Sequence, residues 1–489
     1  MSALVILLVL PLLGALAAVA LPLAAGRLAA LVAVVGSVAA AMWLTAHVAA
    51  SGAIRAELGG WAPPLGIALE VDGLAAAMIC MAALVMLCVA LVALPIMAPD
   101  KAGARAAFGF WPLMLMLWAA LNSVFVSRDL FNLYVGLELL SLAAVALVAI
   151  GGKPAAITAA IRYLFFALAG SLLYLAGVVL VYAAHGTLDI GLLAQRVASP
   201  TDPLALALMT AGLMAKTALF PFHVWLPPAH AGAPAPASAM LSALVPKASF
   251  VILLRLWFEA MPDLATETAL LIIALLGTAA VFWGSLRAMT QSRLKLIVAY
   301  STIAQIGYLF VAFPLASEGS DGVPWAAGAW NGAVFLALSH GLAKSAMFLA
   351  VGQWMMVSAS DRLDDLRGMA QAMPMTAFAF ALAAVTLTGL PPSGGFTGKY
   401  LVMTAAFASG QWGWALVMAA GGLLAVAYVY RPLALIFTPA EVTHQALPSR
   451  AWQALPLLLA GASVLLGLAS APPFDLLAIG RPGAVENGL

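Results

Sequence analysis

Charge is what this chain has least of. Of 489 residues only 8% are Asp, Glu, Lys or Arg while 65% are hydrophobic, whereas a soluble domain carries about a quarter charged residues. The composition excludes a soluble globular chain and leaves an integral membrane protein. The two cysteines, Cys80 and Cys88, lie in one apolar segment without C-x-x-C spacing or a histidine cluster beside them. That excludes iron–sulfur ligation and a disulfide framework, and makes both packing residues. No G-x-G-x-x-G fingerprint and no Walker lysine loop occurs, so no nucleotide, cofactor or metal is expected, and the chain itself displays no catalytic chemistry. A formal net charge of +2 gives no reason to expect nucleic acid.

Apolar sequence is abundant, and it comes in runs long enough to span a bilayer, about 20 residues each. Fourteen are expected, at approximately 3–25, 29–50, 73–98, 107–126, 129–150, 156–184, 203–222, 237–260, 265–288, 295–314, 328–358, 371–409, 411–438 and 450–472. Nothing between them is long enough for a soluble domain. The first run has no basic residues ahead of it and ends near Ala25 at Arg27, which reads as a retained helix and not a cleaved signal peptide. Placing the loops after odd-numbered helices in the cytoplasm puts twelve Lys/Arg there, among them Arg27, Arg162 and Lys295, against Arg55, Arg128, Arg196 and Arg481 outside. By the positive-inside rule both termini then face the non-cytoplasmic side of the inner (plasma) membrane.

Two of the runs are interrupted. Lys216 precedes a proline at Pro221, and Lys399 follows Pro391-Pro392 and Gly394-Gly395. The breaks fall in the seventh and twelfth helices, equivalent positions if helices four to eight recur as nine to thirteen. Paired broken helices in two halves point to a transport site at mid-membrane, and an odd number of helices per repeat inverts the second copy. The expected organisation is 1–106 (helices one to three), 107–262 (first repeat), 263–440 (second repeat) and 441–489 (last helix and tail).

The charges inside the apolar runs are few and specific. Glu138 is the one acidic residue deep within such a run, about 15 Å into its helix at 1.5 Å per residue, and Lys216, Lys247, Lys344 and Lys399 lie at similar depth. Each unpaired buried charge costs roughly 2.5–3.5 kcal/mol, so these groups must pair, neutralise or meet water. A desolvated lysine can give up its proton, whereas arginine cannot, and the choice of lysine points to proton movement. Lys216 is the expected partner of Glu138. Lys247 follows Pro246 in mid-helix; His340 and Lys344, spaced i, i+4, share a helix face and form the expected relay pair. Lys399 has Tyr400 beside it. His223 and His230 are candidates for proton uptake at the cytoplasmic edge, where histidine also serves as an ordinary anchor. Ser141, Arg162, Tyr163, Ser301 and Gln305 are candidates to extend the polar chain. Arg255 is expected to snorkel from a helix end, and the run Asp361-Arg362-Leu363-Asp364-Asp365-Leu366-Arg367 to form a solvated loop.

The segment Ala-Lys-Thr-Ala-Leu-Phe-Pro-Phe-His-Val-Trp-Leu-Pro-Pro-Ala-His-Ala-Gly-Ala-Pro-Ala-Pro-Ala-Ser-Ala-Met-Leu-Ser (215–242) is followed by Val-Pro-Lys-Ala (245–248). With Ser-His-Gly-Leu-Ala-Lys-Ser-Ala-Met-Phe-Leu (339–349) and Gly-Leu-Pro-Pro-Ser-Gly-Gly-Phe-Thr-Gly-Lys-Tyr (389–400), it resembles the antiporter-like, proton-translocating subunits shared by Mrp cation/proton antiporters, respiratory complex I and group 4 hydrogenases. The resemblance covers roughly residues 70 to 440. It is nearest the D-type subunits of Mrp antiporters, with the N- or M-type subunits of complex I next. It implies an all-α membrane fold of about fourteen helices with two inverted five-helix repeats, helices four to eight and nine to thirteen, each containing a broken helix. It further implies a coupled pair Glu138–Lys216 and a path continuing through Lys247, His340, Lys344 and Lys399. The cargo would be protons, with sodium the candidate exchanged cation, and the partners other membrane subunits and lipid. Pro246 departs from the family pattern and is expected to kink the eighth helix. The alternative is a proton-pumping membrane-arm subunit of an NADH:quinone oxidoreductase or hydrogenase; an inert scaffold fits poorly with five ionisable groups in the membrane.

Overall fold

Hydrocarbon offers no hydrogen bonds, so an apolar chain of this kind satisfies its backbone internally, as helix. The computed structural model describes residues 2–317, 324–441 and 447–482. Among them, thirteen helices are long and apolar enough to cross a membrane, and up to fourteen when a bent pair counts as one span. The expected twelfth run is divided into Pro374–Thr388 and Gly394–Ala408, 15 residues each. Each half is about 22 Å long, short of the ~30 Å hydrocarbon core, and only together do they reach across. The one sheet among the described residues is a hairpin, Ile54–Glu57 antiparallel to Ala68–Val71, which the apolar runs on either side gave no reason to expect.

Proline, not charge, ends the first helix. Ser2–Ala20 stops ahead of Pro22, and the next helix runs Leu23–Ser51. Arg27 is therefore not in a loop as expected: it sits in a helix, donates from Nη2 to Leu94 O at 3.1 Å and lies over the Trp111 ring at 5.6 Å.

The helices sort into an enclosed set and a lipid-facing set. Ala235–Ala260 and Trp325–Ser358 are enclosed over their central turns and Leu294–Ala316 nearly so, whereas Pro154–His185 and Trp412–Phe437 keep broad exposed faces. Close approach is made by small residues. A Cβ on Gly212 would meet Gly170 O at 2.2 Å, and one on Gly307 would meet Gly277 O at 2.4 Å.

Several local features occur twice. Leu130 N–H donates to Leu188 O (3.0 Å) and Ile190 N–H to Arg128 O (2.8 Å), clipping the start of the Leu130–Ala149 helix to the chain after Pro154–His185. Leu294 N–H to Asp361 O (2.7 Å) and Leu363 N–H to Ser292 O (3.0 Å) do the same for Leu294–Val311 and the chain after Pro324–Ser358. At the breaks, Asp202–Thr217 ends in left-handed Ala218 (φ 60) and Pro374–Thr388 in left-handed Gly389 (φ 80). Leu219 N–H then bonds Met214 O and Leu390 N–H bonds Val385 O, both at 3.1 Å. A side chain opposes φ > 0, and Ala218 bears that strain where Gly389 does not.

The second clip corrects the reading of residues 361–367 as a solvated loop in part, since Arg362, Asp364, Asp365 and Arg367 are exposed but the rest is not. Asp361 is buried, pairs with Arg293 at 2.9 Å and lends its carbonyl to Leu294, while Leu363–Leu366 forms a 3-10 turn on two buried leucines.

Arg255 does not snorkel either. Its side chain is 0% exposed. It donates two bonds to Asp72, at 3.0 and 3.1 Å, and reaches Glu259 at 3.1 Å. Glu259 meets Arg128 at 2.5 Å, Arg128 meets Glu70 at 3.6 Å, and Arg55 reaches both Glu70 (3.9 Å) and Asp189 (3.7 Å). This network fastens the hairpin to the end of the Val245–Arg255 helix.

Candidate functional site

Asp129 caps the Leu130–Ala149 helix by accepting from Asn132 N–H at 2.7 Å. Glu138 projects from that helix two turns on. Lys216 occupies the last turn of Asp202–Thr217, where unsatisfied carbonyls and the negative end of the helix dipole favour an ammonium. Its Nζ lies 3.2 Å from Glu138 Oε1 and 2.7 Å from Ser141 Oγ, so the expected partners are in contact. The Ser171 hydroxyl donates to the same Glu138 oxygen. The Glu138 side chain is 20% exposed and that of Lys216 4%, so the pair sits at the edge of the buried line and not in its middle.

Lys247 is placed by its neighbour. Proline has no N–H, so Pro246 leaves the carbonyl four residues back, that of Ser242, without its helical donor. The helix accordingly breaks at Leu244, between Ala235–Ala243 and Val245–Arg255. Lys247 Nζ donates to the freed Ser242 O at 3.2 Å and lies 2.5 Å from His340 Nδ1. An ammonium donating there requires a lone pair on Nδ1, putting the imidazole proton on Nε2.

The i, i+4 pair is thereby corrected. His340 and Lys344 do share one helix, but His340 faces Lys247 while Lys344 Nζ donates to the Ser301 hydroxyl and to Val298 O (2.9 Å). A hydroxyl contact joins the two nodes: Ser242 Oγ and Thr302 Oγ1 are 2.7 Å apart, and Thr302 donates to the same Val298 O at 3.0 Å.

Lys399 folds back over the break that precedes it. Its Nζ donates to Leu387 O (3.3 Å) and Thr388 O (3.1 Å), the terminal carbonyls of the preceding half-helix, and lies 4.4 Å from the Tyr308 ring centroid. Gln305 Nε2 donates to Leu387 O as well, at 2.8 Å, and to the Tyr428 hydroxyl at 3.3 Å. Tyr400, adjacent in sequence, is exposed and packs on Phe396 instead. Among the described residues, Lys216 is the one lysine in an ion pair; Lys247, Lys344 and Lys399 rest on carbonyls, a hydroxyl, an imidazole and an aromatic face.

Neither uptake candidate stands at an exposed edge. His223 is buried and accepts from Trp283 Nε1 at 2.9 Å, and His230 is buried against Phe348 at 4.8 Å. Of the residues expected to extend the chain, Ser141, Ser301 and Gln305 touch it, Tyr163 stacks on Trp225 at 4.0 Å, and Arg162 points outward from the Pro154–His185 helix. Lys295, taken as a loop cation, is buried in the first turn of Leu294–Val311 and donates to Ala233 O at 2.5 Å. Its place at the very edge of an apolar run hid it. Tyr428, one of two tyrosines in an apolar helix, carried no signal at all.

With this geometry in view, the chain's relatives are informative. It is 35% identical over 385 residues to the N subunit of the NADH-quinone oxidoreductase of Desulforudis audaxviator (strain MP104C), covering 77% of this chain and 74% of that protein. It is 30% identical over 400 residues to the D subunit of the Na(+)/H(+) antiporter of Alkalihalophilus pseudofirmus (strain ATCC BAA-2126 / JCM 17055 / OF4), covering 80% and 78%. A chain in the structure of the Mrp complex from Dietzia sp. DQ12-45-1b superposes with a TM-score of 0.86 at 25% identity, covering 98% of each chain. Residues 127–425 match the family described as NADH:quinone oxidoreductase/Mrp antiporter, TM, and the chain belongs to that family of multi-pass membrane subunits.

Proposed function

We propose that this chain moves protons across the plasma membrane as one subunit of a larger membrane complex. The observation that carries the reading is the line of buried amines: one lysine paired with a carboxylate, then three, each itself buried, that meet only neutral groups. An opposing charge holds a proton on an amine, and separating Lys216 from Glu138 removes that hold. The proton then passes along Lys247 and His340, Lys344 and Lys399 through intervening water. Residues 107–262 and 263–440 are the two inverted copies, and both termini face outward. The complex is a cation/proton antiporter of the Mrp type, with sodium the exchanged ion, a reading supported by the likeness to the Alkalihalophilus antiporter chain and to the Dietzia structure. The 35% identity to the Desulforudis oxidoreductase chain favours a second reading, a proton-pumping subunit of a redox-driven complex.

The test is proton flux in vesicles bearing the native complex, with Lys216→Ala and Lys399→Ala. Both are expected to abolish flux while the complex assembles; wild-type flux in both overturns the path. Identifying the co-purified subunits separates an antiporter from a complex with flavin and iron–sulfur subunits.

A further inference from the structure

Between Lys344 and Lys399 the side chains form a bridge centred on a residue to which nothing above assigns a role. Ser301 and Gln305 lie four residues apart on the Leu294–Val311 helix, so they present side chains on successive turns of one face. The Tyr428 phenol, from Trp412–Phe437, lies between them. Gln305 Nε2 donates to its oxygen at 3.3 Å, and the Ser301 hydroxyl is its other hydrogen-bonding neighbour. Ser301 in turn receives Lys344 Nζ, and Gln305 shares the Leu387 carbonyl with Lys399 Nζ. Tyr428 is 2% exposed. Lys344 is thus linked to the phenol through Ser301, and Lys399 is linked to it through Gln305 and the Leu387 carbonyl they share; a phenol oxygen can take up a proton on one side while it releases its own on the other.

We propose that Tyr428 is the proton relay between Lys344 and Lys399, a role that rests on the proton path proposed above. In the transfer, the Lys344 ammonium gives a proton to Ser301 Oγ, Ser301 turns its own from Val298 O to the Tyr428 oxygen, and Tyr428 releases its own through intervening water to the neutral Lys399 amine. At the end Lys344 is a neutral amine, Lys399 is an ammonium, and both hydroxyls are restored. Gln305 takes no proton. As a donor to the phenol oxygen it leaves that oxygen's single O–H to point toward Ser301 or toward Lys399, and so positions the relay.

The experiment compares proton flux in vesicles containing the native complex for the wild type, Tyr428→Phe, Lys399→Ala and a variant with 3-fluorotyrosine at position 428. Tyr428→Phe keeps the ring and removes only the hydroxyl, and is expected to lower flux about a hundredfold or more, the scale of a lost proton-transfer group, at unchanged complex yield. The fluorinated phenol has nearly the same size but is more acidic; it is expected to shift the pH profile of flux, which a packing role would leave in place. The titratable neighbours that share this pocket are Lys344, Lys399 and Tyr308. If Lys399→Ala is inactive while Tyr428→Phe is as fast as the wild type, the relay is overturned and the path stands. An unmoved pH profile for the fluorinated protein also overturns the relay, even where Tyr428→Phe fails to assemble. Full flux in Lys399→Ala removes the relay's acceptor and so overturns the relay, and full flux in Lys216→Ala as well overturns the path itself.

Discussion

Lys216 holds Glu138 at 3.2 Å and Ser141 at 2.7 Å at the same time. The ammonium therefore keeps a polar neighbour when the carboxylate swings away, and Glu138 keeps the Ser171 hydroxyl. The ion pair can open without leaving either member bare, which a switch requires and a purely structural buried pair does not.

Glu138→Ala and Lys216→Ala are each expected to abolish coupled proton transport while the protein still assembles, because each removes half of the switch. Transport rates in vesicles decide it, and wild-type rates in either variant would sink the switch.

At Lys399 the order of three variants separates carrying a proton from setting a field. Lys399→Arg should be nearly as damaging as Lys399→Ala, since arginine keeps the charge yet releases no proton at accessible pH. Lys399→Glu should retain more activity, because a carboxyl can still cycle. Proton flux measured for all three in one vesicle preparation gives the order; an active arginine variant would mean that Lys399 acts by its charge alone.

Pro246→Ala supplies the N–H that Ser242 O lacks. The expected result is a repaired helix across residues 242–247, read as slower amide hydrogen exchange there, together with slower proton flux as Lys247 loses its carbonyl seat. A repaired helix with unchanged flux would show that the seat does not matter.

Removing Arg255 strands the Asp72 carboxylate, while Glu259 keeps Arg128. Arg255→Ala is expected to cost about 3–5 kcal/mol, the usual penalty for breaking a buried pair from one side. Arg255→Lys should recover only part of this, since an ammonium cannot fork onto both Asp72 oxygens. Thermal unfolding of the purified complex measures both, and an Arg255→Ala midpoint equal to wild type would refute the account.

An inverted pair of repeats puts the two clips on opposite faces. In a background lacking Cys80 and Cys88, cysteine at Val197 (89% exposed) should react with an impermeant maleimide only from outside. Cysteine at Asp364, whose side chain is 74% exposed, should react only from the cytoplasm. Labelling of both from one face would exclude the inversion.

Much of this molecule was legible because hydrocarbon is an unforgiving solvent. Every ionisable group deep in an apolar run needed a reason to be there, so Glu138, Lys216, Lys247, Lys344 and Lys399 stood out at once, and prolines marked both broken helices. What escaped was of two kinds. Groups at the edges of runs, such as Lys295 and Arg255, read as loop or snorkelling cations because burial there depends on what packs over them, and the hairpin next to Asp72 has strands of only four residues, too short to stand out. Partner choice along a helix also escaped: the i, i+4 spacing puts His340 and Lys344 on one face, yet Lys247 and Ser301 arrive from two other helices and divide them. Tyr428 illustrates the same point, since only the fold brings it between Ser301 and Gln305.

The two breaks share a backbone, and at the second the turn residue shares its room with an amine. A Cβ placed on Gly389 would stand 2.5 Å from Lys399 Cδ and 3.2 Å from Nζ, in the space the returning lysine fills on its way to the Leu387 and Thr388 carbonyls. A side chain at this turn would therefore meet two costs at once, the positive φ and the eviction of the lysine from its carbonyls, so that the shape of the turn and the place of the amine stand or fall together.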